Sequence, residues 1–282
     1  MESEIISDEQ FGGERPLFAR RHLDLRHIEF LPGESALKCT ADITVSDSTF
    51  NGKYPLWHSD GFRCTDCLFL PGARAAIWYS RNGEMTRCRV DAPKMFREMD
   101  GLTLTDVDFS DAQETLWHCA NVRIDRCSVV HADYLFMHSH DLELRNWKQQ
   151  GNYSFQYCRN VRISDADIDS KDAFWNTENV TIENASLTGE YLGWHSRNLT
   201  LRNCRISGTQ PLCYCTGLRL ENCTFEADCD LCFEDSEVIA TVDSPITSVK
   251  NPRAGRIEAR SVGEIIIDEN SKATDPVEIV CR

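Results

Sequence analysis

Five of the chain's six tryptophans, Trp57, Trp78, Trp117, Trp175 and Trp194, fall at one place in a repeat of 19 to 21 residues. Lys38, Arg97, Met137 and Gln156 take that place in other repeats. The row one residue further on reads His58, Tyr79, Glu98, His118, His138, Tyr157, Asn176, His195, Tyr214 and Glu234. Flat apolar faces bordered by hydrogen-bonding groups suit a sugar ring, which is apolar on its faces and hydroxylated at its rim. A file of such faces suits an oligo- or polysaccharide better than one small molecule. The residues expected to bind it are Trp57, Trp78, Arg97, Trp117, His138, Trp175, Trp194 and Tyr214.

Carboxylates would add a second chemistry. Placed one repeat apart they would lie about 5 Å from each other and two repeats apart about 10 Å, which brackets the separations used by retaining and inverting glycosidases. The candidates for acid, base or nucleophile are Asp172, Glu190 and Glu98, with His118, His138 and His195 as alternative proton carriers. Lys171 and Glu190 read first as a surface ion pair. No paired-Asp and Gly-His-Gly signature, phosphate loop, nucleophile elbow or HExxH helix accompanies them.

The elements that must position these rows follow from the repeat itself. Eleven apolar-row residues, Leu23, Ile43, Phe62, Gly83, Leu102, Val122, Leu142, Val161, Val180, Leu199 and Leu218, recur at intervals of 19 to 21. Each opens a stretch in which apolar residues alternate, break once and resume, which predicts two short strands joined by a bend. Asp, Asn and Gly stand just before most of these residues and four after them, where a left-handed backbone is needed. A third strand is expected at segments such as TLWHC and YLFMHS.

Three strands and three bends in about twenty residues make one coil of a parallel β-helix, and no coil buries its apolar face alone. The expected fold is therefore all-β: a single-stranded right-handed parallel β-helix of about eleven or more coils, with the handedness usual for parallel crossovers. It is expected to form one domain over 1–282, with regular coils over 11–236 and irregular coils and a cap over 237–282. Strict alternation turns Leu56, Leu116 and Phe174 inward and the tryptophans outward. Exposed apolar surface of that kind marks a binding site, unless a loop, the C-terminal segment or a second subunit covers it.

Composition narrows the partners. With 30 Lys and Arg against 45 Asp and Glu, a net charge of −15 disfavours nucleic acid and anionic membranes. The opening MESEIISDEQFGGERPLF shows no signal peptide, and no run approaches eighteen apolar residues, so a cytoplasmic location is expected. Fourteen cysteines in a long chain read as free thiols; Cys67, Cys88, Cys127, Cys204 and Cys223 share one inward row. The pairs Cys64/Cys67 and Cys229/Cys232 have a zinc-like spacing that the repeat already explains, so neither metal nor cofactor is expected.

At FGGERPLFA, KYPLWHS, ARAAIWY, ETLWHC, GNYSFQYC, SKDAFW, GEYLGW, PLCY and SVKNPRAG the sequence resembles the bacterial DUF3737 family, from Phe11 to about Asp268. The resemblance implies a pectin-lyase-like right-handed β-helix and no particular activity or catalytic residue. Two uses of the tryptophan file therefore compete: binding or processing of a saccharide, and a protein interface in a scaffold or homo-oligomer.

Overall fold

The computed structural model describes residues 3–273 and 276–282. Met1, Glu2, Thr274 and Asp275, which the expected 1–282 domain includes, lie outside the described residues. Contacts divide the chain into two compact units, Met1–Glu143 and Leu144–Arg282. Each is a right-handed parallel β-helix.

In the first unit, the coil that starts at Asp60–Thr65 shows how sequence becomes structure. Phe62 and Cys64 point inward while Arg63 points to solvent, the alternation a half-buried strand requires. Asp66 then turns the chain at φ 55°, and Leu68–Phe69 resumes with Phe69 inward. Asp60–Thr65 pairs in parallel with Ala41–Ser46 on one side and Arg81–Thr86 on the other. The same bend recurs at Asp47 and Asp106, and Asn82 and Asn121 turn the chain before their strands, all with positive φ.

Gly83 breaks the apolar row because there is no room for more. A Cβ there would lie 2.2 Å from the Phe62 ring. The ring itself fills the site.

Along the core, like residues stack on like. Phe30, Phe50 and Phe69 form a file with centroids 4.6 and 4.5 Å apart and planes within 13°. The thiol row is equally inward: Cys67 and Cys88 are buried, and each Sγ donates to backbone carbonyls. Burial pushes the Cys127 thiol up to about 12, so it stays protonated and unreactive at neutral pH.

In the second unit the two strands of a coil merge across the bend. Arg159–Asp169 and Glu178–Thr188 pair in register from Arg159 opposite Glu178 to Asp169 opposite Thr188. Amide ladders line the turns: Asn198 donates to Asn179 at 2.9 Å and Asn203 to Asn184 at 3.0 Å. These amides are occupied in holding coils together.

One feature differs from the sequence expectation. Among the described residues, the third side of the coil is strand at Ile77–Trp78 and Phe96–Arg97; in other regular coils it is a run of turns in which alternate residues are left-handed, as Leu116 and His118 are at 61° and 54°. A left-handed leucine costs about 1 kcal/mol or more. The offset is coil-to-coil bonding: the N–H of His118 donates to Met137 O at 2.9 Å, and that of Trp117 to Phe96 O at 3.2 Å.

From Glu237 onward the coil spacing changes. Glu237–Lys250 pairs with Ala254–Ile266, Glu237 opposite Ala254 and Ser248 opposite Glu264, so the offset falls to 17 and then 16 residues. The shift sits between Val242 and Pro245. These coils remain parallel but are shorter, and Glu278–Cys281 covers part of the last edge by pairing with Arg256 to Ala259.

Candidate functional site

The tryptophan row stands on the turn side of each coil, after a fully buried residue. In the first unit Leu56, Ile77, Phe96 and Leu116 are buried, while Trp57, Trp78, Arg97 and Trp117 are each half-buried on the outer face. Alternation thus sends the row outward, yet stacked neighbours cover much of its ring faces. Trp57 and Trp78 stack with centroids 5.4 Å apart and planes at 11°. The Arg97 guanidinium lies between the next two indoles, 4.3 Å from Trp78 and 4.6 Å from Trp117. Lys38 Nζ covers Trp57 at 5.5 Å. Each ring closes its neighbour's face.

The polar edge of each indole is also engaged. Trp57 Nε1 donates to Ala75 O at 2.6 Å, Trp78 Nε1 to Lys94 O at 2.8 Å, and Trp117 Nε1 to Tyr134 O. The acceptor lies in the following coil each time. Such bonds are worth about 1 kcal/mol net and fix ring orientation.

One residue further out, a second file stands in solvent. His58 and Tyr79 stack at 5.1 Å and 14°, and His118 and His138 at 5.0 Å and 3°. Tyr79 is 40% exposed, and Glu98 is exposed on the intervening coil. Partial burial, and then the facing His118, hold the His138 imidazole below its ordinary range. Glu114 lies 3.0 Å from Lys94 and 3.7 Å from Arg97, balancing the cations beside the indoles.

The second unit repeats the scheme with other residues. Trp175 and Trp194 stack at 5.3 Å and 5°; their Nε1 atoms donate to Tyr191 O at 2.7 Å and Gln210 O at 2.8 Å. Gln156 holds the tryptophan position with an amide that donates to Asp172 O at 3.1 Å. Outside them His195 and Tyr214 stack at 4.9 Å and 16°. The Tyr214 hydroxyl donates to Glu234 at 3.3 Å, and burial, with Glu234 beside it, pushes the phenol up to about 12.

The sequence-derived candidates therefore sort into separate groups. Trp57, Trp78, Arg97 and Trp117 form one file, with Glu98, His118 and His138 in the row outside it. Trp175 and Trp194 form another, with His195 and Tyr214 outside it. Glu190 and Asp172 belong to the second unit: Glu190 pairs with Lys171 at 3.2 Å, and Asp172 is buried, 6% exposed. Among the described residues no group of three or more His, Cys, Asp or Glu side chains is arranged to hold a metal ion. The site residues that pattern alone does not single out are Lys38, Lys94, Glu114 and Gln156. Lys38 and Gln156 stand in the tryptophan row itself, and that shared position was the available clue.

An all-β parallel coil stack with an outward aromatic file defines a right-handed parallel β-helix protein. The chain belongs to the family described as protein of unknown function DUF3737, whose model matches residues 4–280. Among solved structures it is similar to the tailspike of E. coli bacteriophage HK620 in complex with a pentasaccharide, with TM-score 0.53, 10% identity, and 96% of this chain and 72% of that one covered. A point mutant of that tailspike, also with pentasaccharide, gives 0.50, 10%, 96% and 71%. PfbA, a surface adhesin of Streptococcus pneumoniae, gives 0.42, 7%, 94% and 84%. No curated protein matches the chain. Among the described residues no helix is long and apolar enough to cross a membrane.

Proposed function

We propose that this protein binds an oligo- or polysaccharide laid across successive coils, and that the ligand meets the outer His/Tyr/Glu row rather than the indole faces. The observation that carries the reading is that the outer side chains stand in stacked pairs at one coil step, His58 with Tyr79 and His118 with His138 facing solvent, and an exposed His195 with a half-buried Tyr214. A file of hydrogen-bonding edges at a constant step is commensurate with a polymer of repeating hydroxylated units. The indoles serve as the rigid backing that a preorganised site needs. The tailspike of similar fold is solved in complex with a pentasaccharide, which supports a saccharide as the class of ligand. Glu190 is engaged by Lys171, so the reading is of binding rather than cleavage. Fourteen free cysteines support a reducing, cytoplasmic setting.

The test is binding of the full chain to an array of defined neutral and acidic oligosaccharides, repeated with His118→Ala and Tyr79→Ala. Retained folding with binding reduced at least tenfold in either variant is expected. No saccharide bound by the natural chain, together with a change of sedimenting mass in the variants, would replace the reading with a subunit interface.

A further inference from the structure

Tyr153, Asp172 and Tyr191 occupy the same place on three successive coils of the second unit, each with a left-handed backbone. Their N–H groups donate to Lys171 O, Glu190 O and Thr209 O at 2.8, 2.9 and 3.0 Å. The middle member is a carboxylate where its neighbours are phenols. It is 94% buried, being 6% exposed, and its side chain accepts no hydrogen bond from the described residues. Its main chain, by contrast, is fully engaged, the carbonyl accepting from Gln156.

A buried carboxylate normally recruits donors, because leaving it without them costs more than burying a neutral group. Donors are at hand here but are directed elsewhere. Lys171 Nζ pairs with Glu190 and lies over the Tyr191 ring at 5.4 Å, and Trp175 Nε1 donates to the Tyr191 carbonyl. Among the described residues, the sealed polar side-chain atoms without a hydrogen-bond partner are Arg97 Nε, Gln149 Nε2, Asp235 Oδ1 and Arg253 Nε. Neither oxygen of Asp172 is among them, so the little surface Asp172 keeps is at its carboxylate. The group is a nearly buried acceptor, with tyrosines at the matching places on the coils before and after it.

We propose that Asp172 is a binding residue that accepts hydroxyl groups of a saccharide unit seated across Tyr153, Asp172 and Tyr191, and that it selects neutral glycans over acidic ones. The inference rests on the saccharide reading above. Two hydroxyls donating to one carboxylate give the bidentate geometry its free oxygens allow. A uronate at the same place would bring a third carboxylate beside Asp172 and Glu190, and like charges so placed exclude it. Burial, and then Glu190, raise the Asp172 carboxyl above its ordinary range, while Lys171 opposes them. Both effects follow from a site held ready for a ligand at the expense of the free protein.

The experiment compares the natural full chain with Asp172→Asn and Asp172→Ala on an array of cello-, malto-, manno-, chito- and galacturono-oligosaccharides, with thermal melts of each. Binding confined to neutral glycans, reduced at least tenfold in both variants, with a melting temperature of Asp172→Asn equal to or above the natural value, is the expected result. Asp172→Asn that binds like the natural chain, or that melts lower, overturns the assignment, since a structural carboxylate would be missed by the fold. Preference for galacturonides overturns it as well. If His195→Ala abolishes binding while Asp172→Asn does not, the saccharide reading stands and only this inference fails. If the natural chain binds nothing on the array, both fall together.

Discussion

Two aromatic files in the first unit use the same device for different ends. Inside, Phe30, Phe50 and Phe69 stack at 4.6 and 4.5 Å with every ring buried. Outside, Trp57 and Trp78 stack at 5.4 Å, but each carries a polar edge tied to the next coil's backbone and a charged neighbour in the same file. Both files hold coils in register, because identical positions on a parallel stack face one another. The difference lies in what remains uncommitted. The inner file leaves nothing for a ligand; the outer file leaves its rim and the His/Tyr row beyond it.

Phe50→Ala should break the inner half of this comparison most severely, at about 3–5 kcal/mol of stability. Denaturant unfolding would measure it, with a small loss contradicting the tight packing. Trp175→Phe keeps an aromatic face against Trp194 but removes the N–H that Tyr191 accepts, and should cost about 1–2 kcal/mol. The same unfolding curves would show it. A cost equal to that of Phe50→Ala would mean that the outer file is core after all.

The smallest effect belongs to the charged ladder over the bends. Arg87 bonds Asp66 at 2.6 and 2.8 Å, holding the carboxyl below its usual range chiefly through that hydrogen bond. A depressed carboxylate contributes stability above its unfolded value and loses it as pH falls through the folded one. Asp66→Asn should therefore lower the melting temperature slightly at neutral pH and low salt. The difference should shrink in high salt and below the carboxylate range; a salt-independent difference would assign Asp66 a steric role at the bend instead.

How much of this was legible in the sequence follows the same division. Period and bend residues were readable because Asp66 and Asn82 are residue types that tolerate a left-handed backbone, and Phe62 and Cys64 alternate with polar neighbours. The third side of the coil was not, because Leu116 and Phe174 adopt positive φ and nothing in their type announces it. The outward direction of the tryptophans followed from strict alternation. The loss of their faces did not, since stacking depends on ring orientation, and orientation is set by carbonyls 16 to 18 residues away, such as Ala75 and Tyr191. Asp172 was selectable as a candidate carboxylate; its burial was visible only in three dimensions. The offsets within the C-terminal coils could not be read, because a period cannot be taken from steps of 17 and 16 that occur once.

The most direct test of the account is a paired binding measurement in the second unit, using whichever saccharide the natural chain selects from the array. Trp175→Phe should bind within about threefold of the natural protein, since the ring stack survives, while His195→Ala should lose at least tenfold, roughly 1.4 kcal/mol or more. The reverse order, binding lost with the indole and kept without the imidazole, would place the ligand on the tryptophan faces and contradict the claim that those faces belong to the fold.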